Sequence, residues 1–396
     1  MDLDFFKELL SIDSTSGKER KVAEWLAERL PGMFPAANRP ALRAEEVGDG
    51  TLNLLLTWGE PRIVFCSHLD TVPPYIEPIF PEGVFLSEPS LRDPSQGKPW
   101  APPSYVAEGG HRFGEEHPLR EAATAQIAGR GSCDAKGQVF ALVEACKRLA
   151  EEGKTDFGML LLAGEETGSW GAKAFAKTDF KAEYLVVGEP TDNCMVSASK
   201  GTKSFDLKFT GEPFHSGYPQ YGVSAVDLFV AFVNALKAKD FGMDPVLGET
   251  TWNIGLLHSD NPQNILSPEL TCRLYFRTTF VSDEAVQKWM NEAPTLLRDG
   301  RSEPAMTSSV IPGLTGNLAV TPRGGDTPAR YWTVEGLPTK SVAFGSDAPH
   351  LKNFAHKAIC GPGSITVAHR DDEHVLVADL ATAVEQYIAL YQAVTK

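Results

Sequence analysis

The stretch Gly-Arg-Gly-Ser-Cys-Asp-Ala-Lys-Gly, residues 129–137, is dense in glycine and leads directly into a helical pattern that begins at Gln138. Glycine admits backbone conformations that other residues avoid, so such a turn can hold the carboxylate of Asp134 tightly at a helix start. Glycine-rich turns before helices also cradle phosphate groups. On its own, the stretch leaves both a metal site and a phosphate site open.

Short apolar runs on either side of this stretch predict strands that are buried on both faces of a sheet. Such runs lie at residues 62–67, 158–163 and 184–187, and helical patterns at 138–152 and 170–177 alternate with them. This alternation is typical of an α/β domain with a mostly parallel sheet. Residues that follow the carboxyl ends of such strands converge on one crevice.

The pattern changes near residue 198 to alternating polar and apolar positions, and it predicts a β-α-β-β-α-β order that ends with a strand near 303–310. This order matches the ferredoxin-like arrangement. We therefore expect an inserted domain at 198–312 and a first domain formed by 1–197 and 313–396. An irregular, Pro-rich insertion at about 75–127 is expected to shape substrate access or a subunit contact.

Composition narrows the possible functions. A chain of 396 residues favours two domains, and a formal charge of −15 argues against a nucleic-acid or anionic-membrane surface. The six scattered cysteines fit a reducing compartment better than a disulfide-rich fold. The first residues carry no basic and apolar leader, and no segment has the length of a membrane span, so we expect a cytoplasmic protein.

Acidic and histidine side chains recur just after the predicted strands or in the loops that follow them. A dinuclear zinc site needs imidazole and carboxylate ligands, one of which is shared by ions about 3.5–4 Å apart. Two adjacent glutamates at a strand end repel each other, and metal ions would resolve that repulsion. The candidate residues are His68, Asp70, Asp134, Glu165, Glu166, Glu189 and His369.

Five motifs occur in order along the chain. They are His-x-Asp at 68–70, Gly-x-Gly-x-Cys-Asp-x-Lys-Gly at 129–137, Glu-Glu-x-Gly at 165–168, Glu-Pro-Thr at 189–191 and Gly-Pro-Gly…His-x-x-Asp-Glu at 361–373. Together they resemble the dinuclear zinc amidohydrolases that include acetylornithine deacetylase, succinyl-diaminopimelate desuccinylase and glutamate carboxypeptidase. The resemblance implies a zinc-aminopeptidase-like α/β catalytic domain and an inserted ferredoxin-like α+β domain for lid and dimer contacts.

The resemblance also implies a ligand set for two Zn²⁺ ions, with Co²⁺ or Mn²⁺ as alternatives. One ion would be held by His68, Asp134 and Glu189. The other would be held by Asp134, Glu166 and His369, so that Asp134 bridges the two.

Two further carboxylates near these ligands receive roles from the same resemblance. Asp70 would accept a hydrogen bond from the distal nitrogen of His68 and fix its tautomer. Glu165 would act as the general base for a zinc-activated water. Asp372 and Glu373 match the family's Asp-Glu, and no direct role is assigned to them.

The inserted domain is expected to contribute substrate contacts. His215, in Phe214-His215-Ser216-Gly217, resembles the family histidine that stabilises the oxyanion, often from a neighbouring subunit. A substrate carboxylate would be bound by Asn264, Arg277, Gly345 and Ser346. Lys200 and Lys203 are placed to help, although each is more simply a solvated lysine.

The leading hypothesis is hydrolysis of the amide bond of a small N-acylated amino acid, as in acetylornithine deacetylase. A dipeptidase or carboxypeptidase of the same family is the alternative, and a metal-free binding protein is a remote one. The expected partners are a small N-acyl amino acid or dipeptide and a second copy of the chain, with neither nucleic acid nor membrane.

Overall fold

The structure, a computed structural model, describes residues 1–48, 50–81, 125–298 and 316–395. The chain divides into two compact units. Unit 1 comprises Met1–Ser197, Tyr331–Lys340 and Ser346–Lys396, and unit 2 comprises Ala198–Arg330 and Ser341–Gly345.

The described residues form seven α-helices and seventeen β-strands. In chain order they are α1 (Leu3–Leu10), α2 (Arg20–Met33), β1 (Ala41–Val47), β2 (Thr51–Gly59), β3 (Ile63–His68), β4 (Gln126–Ala128), α3 (Lys136–Glu151), β5 (Asp156–Leu162), α4 (Trp170–Phe175), β6 (Ala182–Val187), β7 (Met195–Ser199), β8 (Gly201–Thr210), α5 (Ala225–Ala238), β9 (Met243–Asp244), β10 (Gly248–Glu249), β11 (Thr251–His258), β12 (Glu269–Thr278), α6 (Asp283–Arg298), β13 (Asn317–Gly324), β14 (Ala329–Arg330), β15 (Thr339–Val342), β16 (Phe354–Ile359), β17 (His374–Leu376) and α7 (Val377–Thr395).

Unit 1 is built on a six-stranded sheet with the order β1-β2-β5-β3-β6-β16. The four strands β5, β3, β6 and β16 run parallel, whereas β2 pairs antiparallel with β5 and β1 antiparallel with β2. All six residues of β3 are buried, as its continuous apolar run predicts. The predicted α/β class and mostly parallel sheet are confirmed, with an antiparallel pair at one edge.

Helices cover this sheet and complete its core. Apolar side chains of α1, α2, α3 and α7 form one buried cluster with those of the strands, and Phe140 of α3 stacks on Phe6 of α1 with ring centroids 4.6 Å apart. Helix α3 is buried over most of its length. The turn that precedes α3 is therefore anchored by a helix in the middle of the core.

Unit 2 contains the four-stranded antiparallel sheet β11-β12-β8-β13. Side chains along β8 and β12 alternate between buried and partly exposed, and the buried ones pack against α5 and α6. The order β8, α5, β11, β12, α6, β13 is the predicted β-α-β-β-α-β arrangement, with the short β9–β10 ribbon added. A separate three-stranded sheet has the order β14-β7-β15.

The division of the chain differs from the predicted one after residue 313. Strand β13 pairs with β8 from Asn317 to Gly324, so this stretch completes the sheet of unit 2 rather than returning to unit 1. The predicted strand at 303–310 and most of the insertion at 75–127 lie outside the described residues. No helix in the described part of the chain combines the length and apolar character of a membrane span.

Candidate metal centre

Three neighbouring parallel strands of unit 1 end at the same edge of the sheet. His68 is the last residue of β3 and lies opposite Leu162 of β5, while Cys66 lies opposite Val187 of β6. Glu165 and Glu166 follow β5, and Glu189 follows β6. Strand register therefore delivers four of the predicted site residues to one crevice.

Asp134 reaches this crevice from the turn before α3. Gly131 has a φ of +84°, and a Cβ at Gly137 would lie 2.3 Å from the carbonyl oxygen of Ser132. The turn therefore requires glycine at both positions, for its conformation at the first and for close backbone approach at the second. This requirement explains the glycine density of residues 129–137.

The carboxylate of Asp134 lies between two histidines. Its Oδ1 is 3.1 Å from Nε2 of His68, and its Oδ2 is 3.3 Å from Nε2 of His369. Nε2 of His369 also lies 3.0 Å from Oε1 of Glu166. One carboxylate thus presents a different oxygen to each imidazole, an arrangement that suits a ligand shared by two ions.

These contacts shift the ionisation of all three groups. Burial opposes the charged form of His68, but contacts with Asp134 and Asp70 raise its pKa well above the usual value. The carboxylates of Asp134 and Glu166 raise the pKa of His369 to about 10. Burial would raise the pKa of Asp134, yet hydrogen bonds from His369 and His68 hold it below its usual range.

Asp70 makes contacts beyond the one expected with the distal nitrogen of His68. Nδ1 of His68 lies 2.9 Å from the backbone carbonyl of Asp70 and 3.5 Å from its carboxylate Oδ1, so the carbonyl is the nearer acceptor. The carboxylate instead accepts hydrogen bonds from the backbone N–H groups of Glu165 at 3.0 Å and Glu166 at 3.1 Å. It also accepts one from the hydroxyl of Ser16 at 3.0 Å. Asp70 therefore organises the glutamate pair with its side chain and the imidazole of His68 with its backbone.

The surroundings of Glu165 and Glu189 disfavour the charged form of both carboxyl groups. Burial raises the pKa of each well above its usual value, and although His68 lowers both, the charges of Asp134 and Asp347 raise them further. Oε1 of Glu189 is buried and has no hydrogen-bond partner among the residues that the structure describes. A buried carboxylate oxygen without a partner is costly unless a cation or a proton satisfies it.

These residues fit a divalent metal centre. Ligand-type atoms of His68, Asp134 and Glu166 all lie within 4.8 Å of one another. His369 contacts two of these carboxylates, and the unpartnered oxygen of Glu189 supplies a further donor. Imidazole and carboxylate are the ligands of catalytic zinc sites.

The predicted substrate residues of the inserted domain lie in unit 2. His215 is exposed, and its Nδ1 accepts a hydrogen bond from the backbone N–H of Gly217 at 3.0 Å. A β-bridge joins His215 to Ile265, and the backbone carbonyl of Asn264 accepts from Ser216 at 2.9 Å. The structure therefore places the segments of His215 and Asn264 side by side.

Other predicted substrate residues have their own contacts. The guanidinium of Arg277 lies 5.0 Å from the centre of the Tyr275 ring, Lys200 donates to the backbone carbonyl of Glu249, and Lys203 pairs with Asp283 at 3.0 Å. Gly345 belongs to unit 2. Ser346 belongs to unit 1, where its buried hydroxyl accepts from the backbone N–H of Ala348 at 3.3 Å.

Sequence reasoning assigned no role to three buried charged residues near the predicted ligands. Asp347 is buried, its Oδ1 has no partner in the described part of the chain, and burial raises its pKa to about 6. Arg130 and Glu373 form a buried ion pair at 2.5 Å. The available signal was their position in the sequence: Arg130 and Glu373 lie inside the quoted motifs at 129–137 and 361–373, and Asp347 directly follows the predicted substrate residue Ser346.

Comparison with known proteins agrees with a hydrolytic metal site on this fold. The model of Peptidase family M20/M25/M40 matches residues 113–393, which is more than half of the 396 residues. The chain belongs to this family. It is therefore a metallopeptidase-family hydrolase, which confirms the predicted hydrolase class, and membership in this family implies that it binds a divalent metal.

Individual relatives extend over nearly the whole chain. A probable carboxypeptidase of Aspergillus clavatus is 28% identical over 415 residues, covering 98% of this chain and 88% of that protein. A tripeptidase of Staphylococcus aureus has a TM-score of 0.72 at 19% identity, covering 99% of this chain and 97% of its own. An M20 family metallo-carboxypeptidase of Sulfolobus solfataricus has a TM-score of 0.64 at 15% identity, and the match covers 100% of this chain and 99% of that chain. The two structures show the shared fold.

Proposed function

We propose that this protein is a metal-dependent carboxypeptidase or dipeptidase that releases an amino acid with a free carboxylate from a short peptide. The observation that carries the proposal is Asp134 between His68 and His369, with one carboxylate oxygen directed at each imidazole. The relative named a probable carboxypeptidase supports peptide rather than acetyl substrates, because the similarity covers 98% of this chain.

We propose two Zn²⁺ ions as the cofactor, with Co²⁺ or Mn²⁺ as possible replacements. His68, Asp134 and Glu189 would hold one ion, and Asp134, Glu166 and His369 the other. Bound divalent ions of this kind lower the pKa of water and polarise a carbonyl group. Metal analysis of protein purified without chelator tests the number and identity of the ions.

Glu165 is the residue best placed to move protons. It directly precedes the ligand Glu166, and Asp70 fixes the backbone of both glutamates. Its carboxylate would take the proton from the attacking water and return it to the leaving amine. His215 would donate a hydrogen bond to the oxyanion, and we expect His215→Ala to lower kcat by about 10²–10³-fold.

Substrate recognition would rest on a carboxylate-binding group. Arg277 offers a guanidinium that can bind a carboxylate through two hydrogen bonds, and Asn264, Gly345 and Ser346 supply amide or hydroxyl donors. This group would explain a preference for substrates with a free C-terminal carboxylate. C-terminally amidated peptides should therefore be poor substrates.

The test is a substrate panel on the Zn²⁺-loaded protein, with released amino acids measured by chromatography. The panel contains dipeptides, tripeptides, their C-terminal amides, and N-acetyl and N-succinyl amino acids. We expect cleavage of free peptides and little cleavage of the amides. Absence of hydrolysis of every compound by metal-loaded protein would contradict the proposed function.

Deacylation of a small N-acyl amino acid is the second candidate. The motif set of residues 68–70, 129–137, 165–168, 189–191 and 361–373 supports it equally, because the amide-bond chemistry is the same. An N-acetyl amino acid such as acetylornithine cleaved more than about tenfold faster than any peptide would favour this candidate. That ratio corresponds to about 1.4 kcal/mol in the transition state.

We also propose a homodimer that associates through unit 2. Several large apolar side chains on this unit are exposed, and such surfaces often mark contacts between proteins. They include Val226, Val230, Leu256 and Leu257. Light scattering that gives a monomer mass at micromolar concentration would contradict the dimer.

The cytoplasm is the proposed location. All six cysteines are free, which fits a reducing compartment. Recovery of the native protein from a membrane or secreted fraction would contradict this location.

A further inference from the structure

Three consecutive acidic residues follow the predicted ligand His369, and their surroundings differ sharply. Asp372 pairs with Arg370 at the surface, and its side chain is 62% exposed. Glu373, the next residue, has a side chain that is 0% exposed. A fully buried carboxylate persists only when hydrogen bonds and an opposite charge offset its desolvation.

One oxygen of Glu373 accepts hydrogen bonds from three backbone amides of the glycine-rich turn. Oε1 accepts from the N–H of Gly131 at 2.9 Å, of Cys133 at 3.1 Å and of Asp134 at 3.0 Å. A concave set of backbone N–H groups is a recurrent way to bind an anion in proteins. Here the anion belongs to the same chain, and one of the three amides is that of the shared ligand itself.

The other oxygen of Glu373 pairs with Arg130 of the same turn. Nη1 of Arg130 lies 2.5 Å from Oε2, and Nε of Arg130 donates to the carbonyl of Pro74 at 3.1 Å. The backbone carbonyl of Glu373 also accepts from Gly129 at 2.9 Å. Glu373 therefore accepts hydrogen bonds from four backbone N–H groups of the turn and pairs with one of its side chains.

We propose that Glu373 is a positioning residue for the metal centre: it fixes the peptide group of Asp134, so that the two oxygens of that carboxylate face His68 and His369. Glu373 lies only four residues after His369. The same carboxylate therefore sets the distance between the two chain segments that carry the shared ligand and His369. This inference rests on the metal-dependent function proposed above.

A purely structural role for the Arg130–Glu373 pair would affect folding without affecting the geometry of the bound ions. A positioning role affects metal affinity and ligand geometry in protein that remains folded. Groups that orient metal ligands typically change metal affinity by about 10–100-fold when they are replaced. Metal binding therefore distinguishes the two roles independently of turnover.

The experiment compares Glu373→Gln with Asp372→Asn in the full-length protein. Both variants replace one carboxylate by an amide at adjacent positions, of which 373 is buried and 372 is exposed. Zn²⁺ affinity is measured by calorimetry with a competing chelator, and the visible absorption spectrum of Co²⁺-loaded protein reports ligand geometry. We expect affinity about 10–100-fold weaker and an altered Co²⁺ spectrum for Glu373→Gln, with both unchanged for Asp372→Asn.

Glu373→Asp covers the case in which Glu373→Gln does not fold. It keeps the negative charge for Arg130, but its shorter side chain cannot keep all three amide contacts, so we expect weaker Zn²⁺ binding here as well. A folded variant that binds Zn²⁺ within twofold of wild type and gives the wild-type Co²⁺ spectrum overturns the positioning role. Wild-type protein that binds no Zn²⁺ overturns the metal centre together with this inference, so the two failures are distinguishable.

Discussion

His68 and His369 flank the same carboxylate but lie in opposite surroundings. The side chain of His68 is 2% exposed, and it ends a strand whose residues are all buried. The side chain of His369 is 46% exposed. Its backbone has a φ of +63°, a conformation that few non-glycine residues adopt.

The two histidines are also held differently. The backbone carbonyl of Asp70 contacts Nδ1 of His68, and this contact leaves Nε2, the nitrogen proposed to bind metal, free of that role. Nε2 of His369 instead contacts Glu166 and Asp134, the carboxylates with which it would share an ion. We therefore expect the His68 half of the proposed centre (His68, Asp134 and Glu189) to be formed before metal binds. We expect the His369 half (Asp134, Glu166 and His369) to depend more strongly on metal for its geometry.

The largest expected effect concerns Glu165, which directly precedes the proposed ligand Glu166 in the sequence. Glu165→Gln removes the proposed base without removing a ligand, so we expect kcat to fall by about 10²–10⁴-fold. Metal content should stay at the wild-type level. The checks are peptide hydrolysis rates and elemental analysis of the purified variant.

Glu166→Gln is the matched control, because it changes the adjacent residue in the same way. It replaces a ligand of the His369 half, and we expect reduced metal content as well as reduced turnover. Near-wild-type turnover by Glu165→Gln would refute the base assignment. Equal metal loss in both variants would erase the distinction between the two glutamates.

Much of this candidate centre could be predicted because the apolar runs in the sequence show where the buried strands end. Apolar runs locate β3, β5 and β6, and the polar residues that follow them must lie at one edge of a parallel sheet. His68 and Glu189 were identified in this way. The glycines around Asp134 gave a further local signal, since Gly131 and Gly137 meet backbone requirements that no larger residue satisfies.

Other features could not be predicted because they depend on tertiary contacts. No sequence pattern shows that the backbone carbonyl of Asp70 lies closer to Nδ1 of His68 than its carboxylate does. Asp372 and Glu373 are adjacent acids, and only the packed turn determines that the second one is buried. The boundary of unit 2 was missed because the residues that pair with β8 lie beyond 313, at β13.

A smaller effect should separate the two histidines in metal-free protein. His68→Ala removes a buried cation from the carboxylates of Asp70 and Asp134, although Asp134 keeps His369 as a partner. We therefore expect the free energy of unfolding to fall by about 3–5 kcal/mol. His369→Ala removes a half-exposed imidazole and leaves Asp134 paired with His68, so we expect a smaller loss of about 0–1 kcal/mol. Chemical denaturation in the presence of chelator measures both, and equal losses would contradict the proposed difference between the halves.

The smallest expected effect is a change in the number of protons that the protein releases when it binds metal. The pKa of His369 is raised to about 10 by Asp134 and Glu166, so its imidazole is protonated at pH 7.5 in metal-free protein. A metal ion needs the neutral imidazole, and its binding must therefore release that proton at any pH below about 10. Calorimetric titration with Zn²⁺ in buffers of different ionisation enthalpy gives the number released. We expect His369→Ala to release roughly one proton fewer than wild type. An unchanged number would mean that His369 is already neutral before metal binds.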